Sequence, residues 1–251
     1  VASSFSRRHF LGCACLGAAS LAAAASAGLA GSAFAATAVA GGDVVPSVGG
    51  RTVLTADEAL ALLKKGNAEF ISDAPIHAAI GRERRIEIAR EQHPFAVLVA
   101  CSDSRVSPEL LFGRGLGELF IVRNAGNTLD TVALGSLEYA VEHLGTPLVL
   151  VMGHQRCGAV SAAVSVVRDN KMFDGAIGQM IEPIIPAVLA VRDQPGDLVD
   201  NAVRENVRRV VHNLRNASEP LLARPIAAGQ VRIVGAEYSL DDGSVNFFDE
   251  A

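Results

Sequence analysis

Two short stretches of this 251-residue sequence concentrate the residue types that do chemistry. In VLVACSDSRVSPE (residues 97–109), an apolar run ends in Cys101, Asp103 and Arg105, with serines between them. Side chains two apart on an extended chain project to the same side. A thiol, a carboxylate and a guanidinium therefore point together if the strand conformation continues past Ala100. A guanidinium holds a carboxylate through two parallel hydrogen bonds, which makes Asp103 and Arg105 natural partners. In VLVMGHQRCGAV (residues 149–160), His154 and Cys157 follow a second apolar run. Their spacing brings an imidazole and a thiol together across one turn. Cys157 stands where a helix is expected to start, and the N–H groups and dipole there favour a thiolate. Gly153 and Gly158 let the backbone pass close to whatever these side chains hold. Two cysteines and one histidine match a Cys₂His zinc site, whose three protein ligands leave a fourth position for water or substrate.

Taken singly, each residue has a plainer reading. Cysteine is a common small core residue, and a lone histidine is more often satisfied in a core than bound to metal. A Cys101–Cys157 disulfide would account for both thiols, but it would leave His154, Asp103 and Arg105 without a role.

The elements that must position these residues follow from the hydrophobic pattern. Strands are expected at residues 95–100, 119–122, 148–152 and 231–236, with helices at 134–143, 159–167, 176–192 and 198–214. Near-continuous Val/Leu/Ile strands alternating with helices predict an α/β fold, a mostly parallel sheet flanked by helices. Open sheets of this kind carry their sites at the carboxyl ends of the strands, where Cys101 and His154 stand. Thr55 and Glu58 form a capping box that opens a helix with Leu60, Leu62 and Leu63 on its apolar face. GRERRIEIAREQ (residues 81–92) reads as a second, highly charged helix, completing an N-terminal helical arm. SLDDGSVNFF (residues 239–248) supplies a turn and a C-terminal edge strand.

Half of the residues are apolar and the formal charge is −5, enough for a full core and without a basic block beyond the first residues. That argues against a nucleic-acid partner, which needs clustered Lys and Arg. Residues 1–35 have the anatomy of an export signal: Arg7-Arg8, then Phe10-Leu11 and an Ala/Leu-rich run, then small residues at Ala33 and Ala35. The arginine pair resembles the twin-arginine (Tat) motif, which makes the expected location periplasmic. Removal of this signal takes Cys13 and Cys15 with it, leaving Cys101 and Cys157, and no stable membrane span. Residues 36–53 read as a linker and residues 54–251 as one domain. His77, His93, His143 and His212 have no motif around them and read as surface or interface residues.

CSDSRVSPE, GELFIVRNAGN and GHQRCGAV closely resemble the motifs of the β-class carbonic anhydrases, over residues 55–236. The resemblance implies that Cys101, His154 and Cys157 bind Zn²⁺ and that Asp103 and Arg105 form a catalytic dyad. The implied reaction is reversible hydration of carbon dioxide to bicarbonate and a proton. Neighbouring readings are a zinc hydrolase of CS₂ or COS on the same fold and a non-catalytic zinc module. Gln92, Phe120 and Tyr139 match pocket positions, with Gly158 beside the second zinc cysteine. One variant of the family holds bicarbonate outside the catalytic centre with a Trp, an Arg and a Tyr. Arg123 and Tyr139 match two of these, but the Trp position is Leu98 and the chain has no Trp. The resemblance therefore implies the variant with an open zinc. It also implies a homodimer or homotetramer in which the arm wraps a neighbouring subunit and Gln92 reaches across the seam.

Overall fold

The computed structural model describes residues 44–250. The expected export signal, with Cys13 and Cys15, lies outside the described residues. Among the described residues no helix is long and apolar enough to cross a membrane.

A two-stranded hairpin, β1 (Ser47–Val48) and β2 (Arg51–Thr52), comes first. The segment read as linker is thus partly structured, and Val45 N–H donates to the buried Glu118 carboxylate. Helix α1 (Ala56–Ile71) opens on the expected capping box, with Thr55 and Glu58 satisfying each other's backbone N–H groups. Helix α2 (Arg82–Glu87) is only six residues long and buries none of them. Charge alone does not propagate a helix, and without a packed face it stops after little more than a turn.

The sheet follows: β3 (Ala96–Ala100), α3 (Pro108–Leu111), β4 (Leu119–Arg123), α4 (Thr131–Glu142), β5 (Leu148–His154) and α5 (Gly158–Asp169). Next come α6 (Ala176–Ile181), a 3₁₀ turn at Glu182–Ile184 and α7 (Ile185–Val191). The single helix expected over 176–192 is broken there because Pro183 and Pro186 lack the N–H that a continuous helix needs. Helices α8 (Leu198–Arg215) and α9 (Pro220–Ala227) precede β6 (Arg232–Tyr238) and the last strand, β7 (Val245–Asp249).

Strand order is β4-β3-β5-β6-β7; the first four run parallel and β7 pairs antiparallel at the edge, as the pattern predicts. Strand side chains alternate between two cores. Leu98, Ala100, Leu150, Met152 and Val234 pack with Leu60 and Leu63 of α1 and Leu111 of α3. Val97, Val99, Val149, Val151 and Ile233 pack with α4, α8 and α9. Where β3 and β5 end, a third cluster of α5, α6, α7 and α8 side chains closes around Cys101 and Cys157. Gly153 serves this packing more than any ligand. A Cβ there would lie 2.8 Å from Val203 and 2.9 Å from Val207, so its absence lets α8 lie against β5.

Asn67 ties α1 to the last hairpin. Its buried side chain donates to the carbonyls of Gly243 (2.9 Å) and Leu111 (3.4 Å) and accepts from Val245 N–H (2.8 Å). Asn67→Ala leaves these groups unpaired, and each buried orphan costs about 1–3 kcal/mol. Denaturant unfolding should show a loss of at least about 2 kcal/mol, on the same scale.

Candidate metal centre

Cys101 is the first residue after β3, His154 the last of β5, and Cys157 the N-cap of α5. The ladder pairs Ala100 with Met152, so both strands end at nearly the same level. The ligand atoms of the three residues lie within 4.8 Å of one another, and all three residues are buried. The sulfurs are 4.0 Å apart. That is far beyond the roughly 2.0 Å of a disulfide, and both thiols are free. It is close to the ~3.8 Å that two Zn–S bonds of about 2.3 Å span at the tetrahedral angle.

The imidazole is set for the same purpose. His154 Nδ1 lies 2.9 Å from the Gln155 carbonyl, so this nitrogen carries the proton and donates. Nε2 is left as a buried lone pair with no hydrogen-bond partner. A buried orphan nitrogen costs free energy unless a ligand satisfies it, and its position beside two thiols fits zinc. In the sulfur pair the proton is unevenly shared. Hydrogen bonding from Cys157 draws the Cys101 thiol below its ordinary range, helped by Gly126 N–H at 3.2 Å. The same bond, with burial, pushes Cys157 up.

Asp103 and Arg105 pair as expected, but by a different local route. The strand does not continue past Ala100; a turn closes from Asp103 O to Val106 N–H (3.0 Å). Inside it, Asp103 Oδ1 accepts from both the backbone N–H and the Nε of Arg105, each at 2.9 Å. Arg105 Nη2 donates to Oδ2 at 2.8 Å. This fork holds the Asp103 carboxyl well below the usual carboxylate range. Oδ2 sits 3.8 Å from His154 Nε2, so the ionised carboxylate borders the place a metal would occupy.

Several supporting residues lie within the quoted motifs, but the sequence gives no sign of what they bond to. Arg123, at the end of β4, donates to the carbonyls of Cys101 (2.9 Å) and Asp103 (2.7 Å), bracing the turn from below. Ser102 answers with a bond to Arg123 O at 3.1 Å. Arg156 takes a left-handed φ of 53° and pairs with Asp241 through two bonds, while its carbonyl accepts from Arg105. Gln155 accepts from Leu240 N–H at 3.0 Å. Their partners are far away in sequence, and only the fold shows the connection.

The remaining predicted pocket residues divide. Gly158 follows Cys157 directly, and a Cβ there would meet nothing within 4 Å, leaving that side of the site open. Gln92, Phe120 and Tyr139 are not brought to the metal cluster of their own chain. Phe120 pairs with Val97, near the start of β3, whereas Cys101 follows its end. Four residues of strand separate those levels, about 13 Å. Tyr139 lies against Phe120 with ring centroids 6.3 Å apart, and Gln92 shares an open cavity with Tyr139. Leu98 is wholly buried in the sheet core.

The carbonic anhydrase family profile matches residues 96–245, from the first residue of β3 to the first of β7. The chain belongs to the β-carbonic anhydrase family. A carbonic anhydrase of Mycolicibacterium smegmatis is 41% identical over 183 residues, covering 73% of this chain and 88% of the relative. Carbonic anhydrase 2 of Mycobacterium tuberculosis is 40% identical over 181 residues, covering 72% and 87%. Among solved structures, a Coccomyxa β-carbonic anhydrase in complex with acetazolamide superposes with a TM-score of 0.56 at 28% identity, covering 77% of this chain and 81% of that one. In this β-carbonic anhydrase chain, the Cys₂His set is placed so that it could hold the family's zinc.

Two measurements follow. The purified protein should hold one zinc per chain by elemental analysis, and Cys157→Ser should lose most of it. In an NMR titration, the Asp103 carboxyl should have a midpoint below the ordinary value of about 3.9. Arg105→Ala should return it toward that value. Because the folded value is the depressed one, the pair's contribution to stability is present at neutral pH. It disappears as pH falls through the folded midpoint.

Proposed function

We propose that this chain catalyses the reversible, zinc-dependent hydration of carbon dioxide to bicarbonate and a proton. One observation carries the reading. A buried Cys₂His donor set stands beside a carboxylate that an arginine fork keeps ionised and turned aside. Zinc held by Cys101, His154 and Cys157 supplies Lewis acidity, bringing the ionisation of water into the range of about pH 7.

The chain's own groups do the rest. Asp103, ionised and 3.8 Å from the ligand nitrogen of His154, accepts the hydrogen bond that orients the reacting water. Arg105 uses both oxygens of Asp103, so the carboxylate is not free to turn and become a fourth metal ligand itself. Arg123 fixes the backbone on which this arrangement rests. Gly158 keeps the approach open for a small substrate.

The assembly we propose is a homodimer or higher homo-oligomer. Among the described residues the parallel sheet ends at β4, and Gln92, Phe120 and Tyr139 gather on that flank, away from their own metal centre. Across a two-fold seam they would face the partner's site. The proposed location is the periplasm, reached by Tat export with residues 1–35 as the leader. That route carries folded chains, so zinc can be loaded first.

Proton release from CO₂ by the zinc-loaded protein tests the activity; a loaded protein without it would sink the reading. Arg105→Ala should retain its zinc while kcat falls by about 10²-fold, the scale of a lost orienting or acid–base group. Loss of metal together with activity would mark Arg105 as a scaffold residue instead. Sedimentation at micromolar concentration should give at least twice the chain mass.

A further inference from the structure

The sulfur of Cys101 has a neighbour that the proposed chemistry does not use. A 3₁₀ turn at Ala125–Asn127 follows β4, and its central residue, Gly126, has φ 69° and ψ 23°. The Gly126 N–H points at Cys101 Sγ, 3.2 Å away. On the other side of the same residue, the Gly126 carbonyl accepts a 2.9 Å bond from Asn206 Nδ2. Asn206 lies on α8, 80 residues further along, and is only 3% exposed.

Glycine is the residue least able to hold its own backbone conformation. No side chain can stiffen this position, because a Cβ would come within 2.6 Å of Ile184 Cδ1. The turn closes on itself through Asn127 N–H to Asn124 O (2.9 Å), and Asn206 adds a fixed point from outside it. Between them the Gly126 carbonyl is held in place, which restrains the glycine so that its N–H stays aimed at the sulfur. A hydrogen bond donated to a thiolate stabilises charge on the sulfur and reduces what it passes to a metal.

Resting on the zinc reading above, we propose that Asn206 is a positioning residue: by pinning Gly126 it holds the N–H···S bond that tempers the Cys101 ligand. Asn206 touches neither metal nor substrate. Its effect passes through one glycine. In the fold this links α8, the longest helix described, to the electronic character of the metal centre.

The test uses the full chain with Co²⁺ in place of zinc, because the sulfur-to-cobalt charge-transfer band reports charge on the thiolates. Asn206→Ala removes the anchor. Asn206→Leu removes it while filling the same space, and is read if the alanine variant does not fold. Val211→Ala, one turn further along α8 in the sheet core, controls for general loosening. The expected result is a shift of the band to lower energy in the Asn206 variants and none in Val211→Ala. The hydration rate of the zinc forms should also fall about tenfold or more. An unmoved band, or an equal shift in Val211→Ala, would overturn the proposal. The band is read without carbon dioxide. An inactive wild-type protein would therefore overturn the hydratase reading and leave the Asn206 result standing.

Discussion

Everything in the metal centre depends on the in-register parallel pairing of β3 with β5. Five residue pairs, Ala96 with Leu148 through Ala100 with Met152, bring two strand ends side by side and level. Parallel strands cannot be joined by a tight turn, so the two loops that leave them are independent and free to carry different chemistry. One delivers Cys101 and Asp103, the other His154 and Cys157. A shift of the pairing by one residue would put Cys101 on the wrong face of the sheet and separate the sulfurs. The buried Val, Leu and Ala side chains of these strands, on both faces, are what specify the register.

Around that frame, charge is distributed by a division of labour among arginines. Arg105 acts on a side chain, Arg123 on backbone carbonyls, and Arg156 on a distant carboxylate. Arg123 sits in a position that, in one variant of the family, helps hold bicarbonate. Here its guanidinium is committed to the Cys101 and Asp103 carbonyls, and the companion position is the buried Leu98. The same residue type in the same place thus serves the backbone of the turn. A neutral acceptor completes the arrangement: the Gln155 carbonyl takes the hydrogen bond from His154 Nδ1–H and so sets the histidine tautomer.

The sequence was most legible where interactions are local or periodic. Four strands, the Thr55 capping box and the Cys/His ligands follow from hydrophobic runs and short spacings, and the structure has them within a few residues. Legibility failed where a longer-range influence decided the outcome. The charged segment after Gly81 makes only a short helix, and none of its residues is buried. Asp103 and Arg105 meet through a turn, although alternation along a strand would have predicted the same contact. Gln92, Phe120 and Tyr139 carry family positions but lie at the other end of the sheet from their own zinc ligands. Asn206 and Asp241 had no signal at all, because their partners are 80 and 85 residues away.

The clamp on the His154 loop has a wider meaning. Gln155 and Arg156 are both tied to the segment joining β6 to β7: Gln155 accepts from Leu240 N–H, and Arg156 pairs with Asp241. That hairpin carries none of the metal-ligand motifs, and among the described residues its strand β7 is the one member of the sheet that runs against the others. It behaves as a keystone laid last. During synthesis the metal-binding letters emerge from the ribosome roughly eighty residues before the segment that locks their loop. The loop between His154 and Cys157 is thus braced by a segment that the ribosome makes well after it.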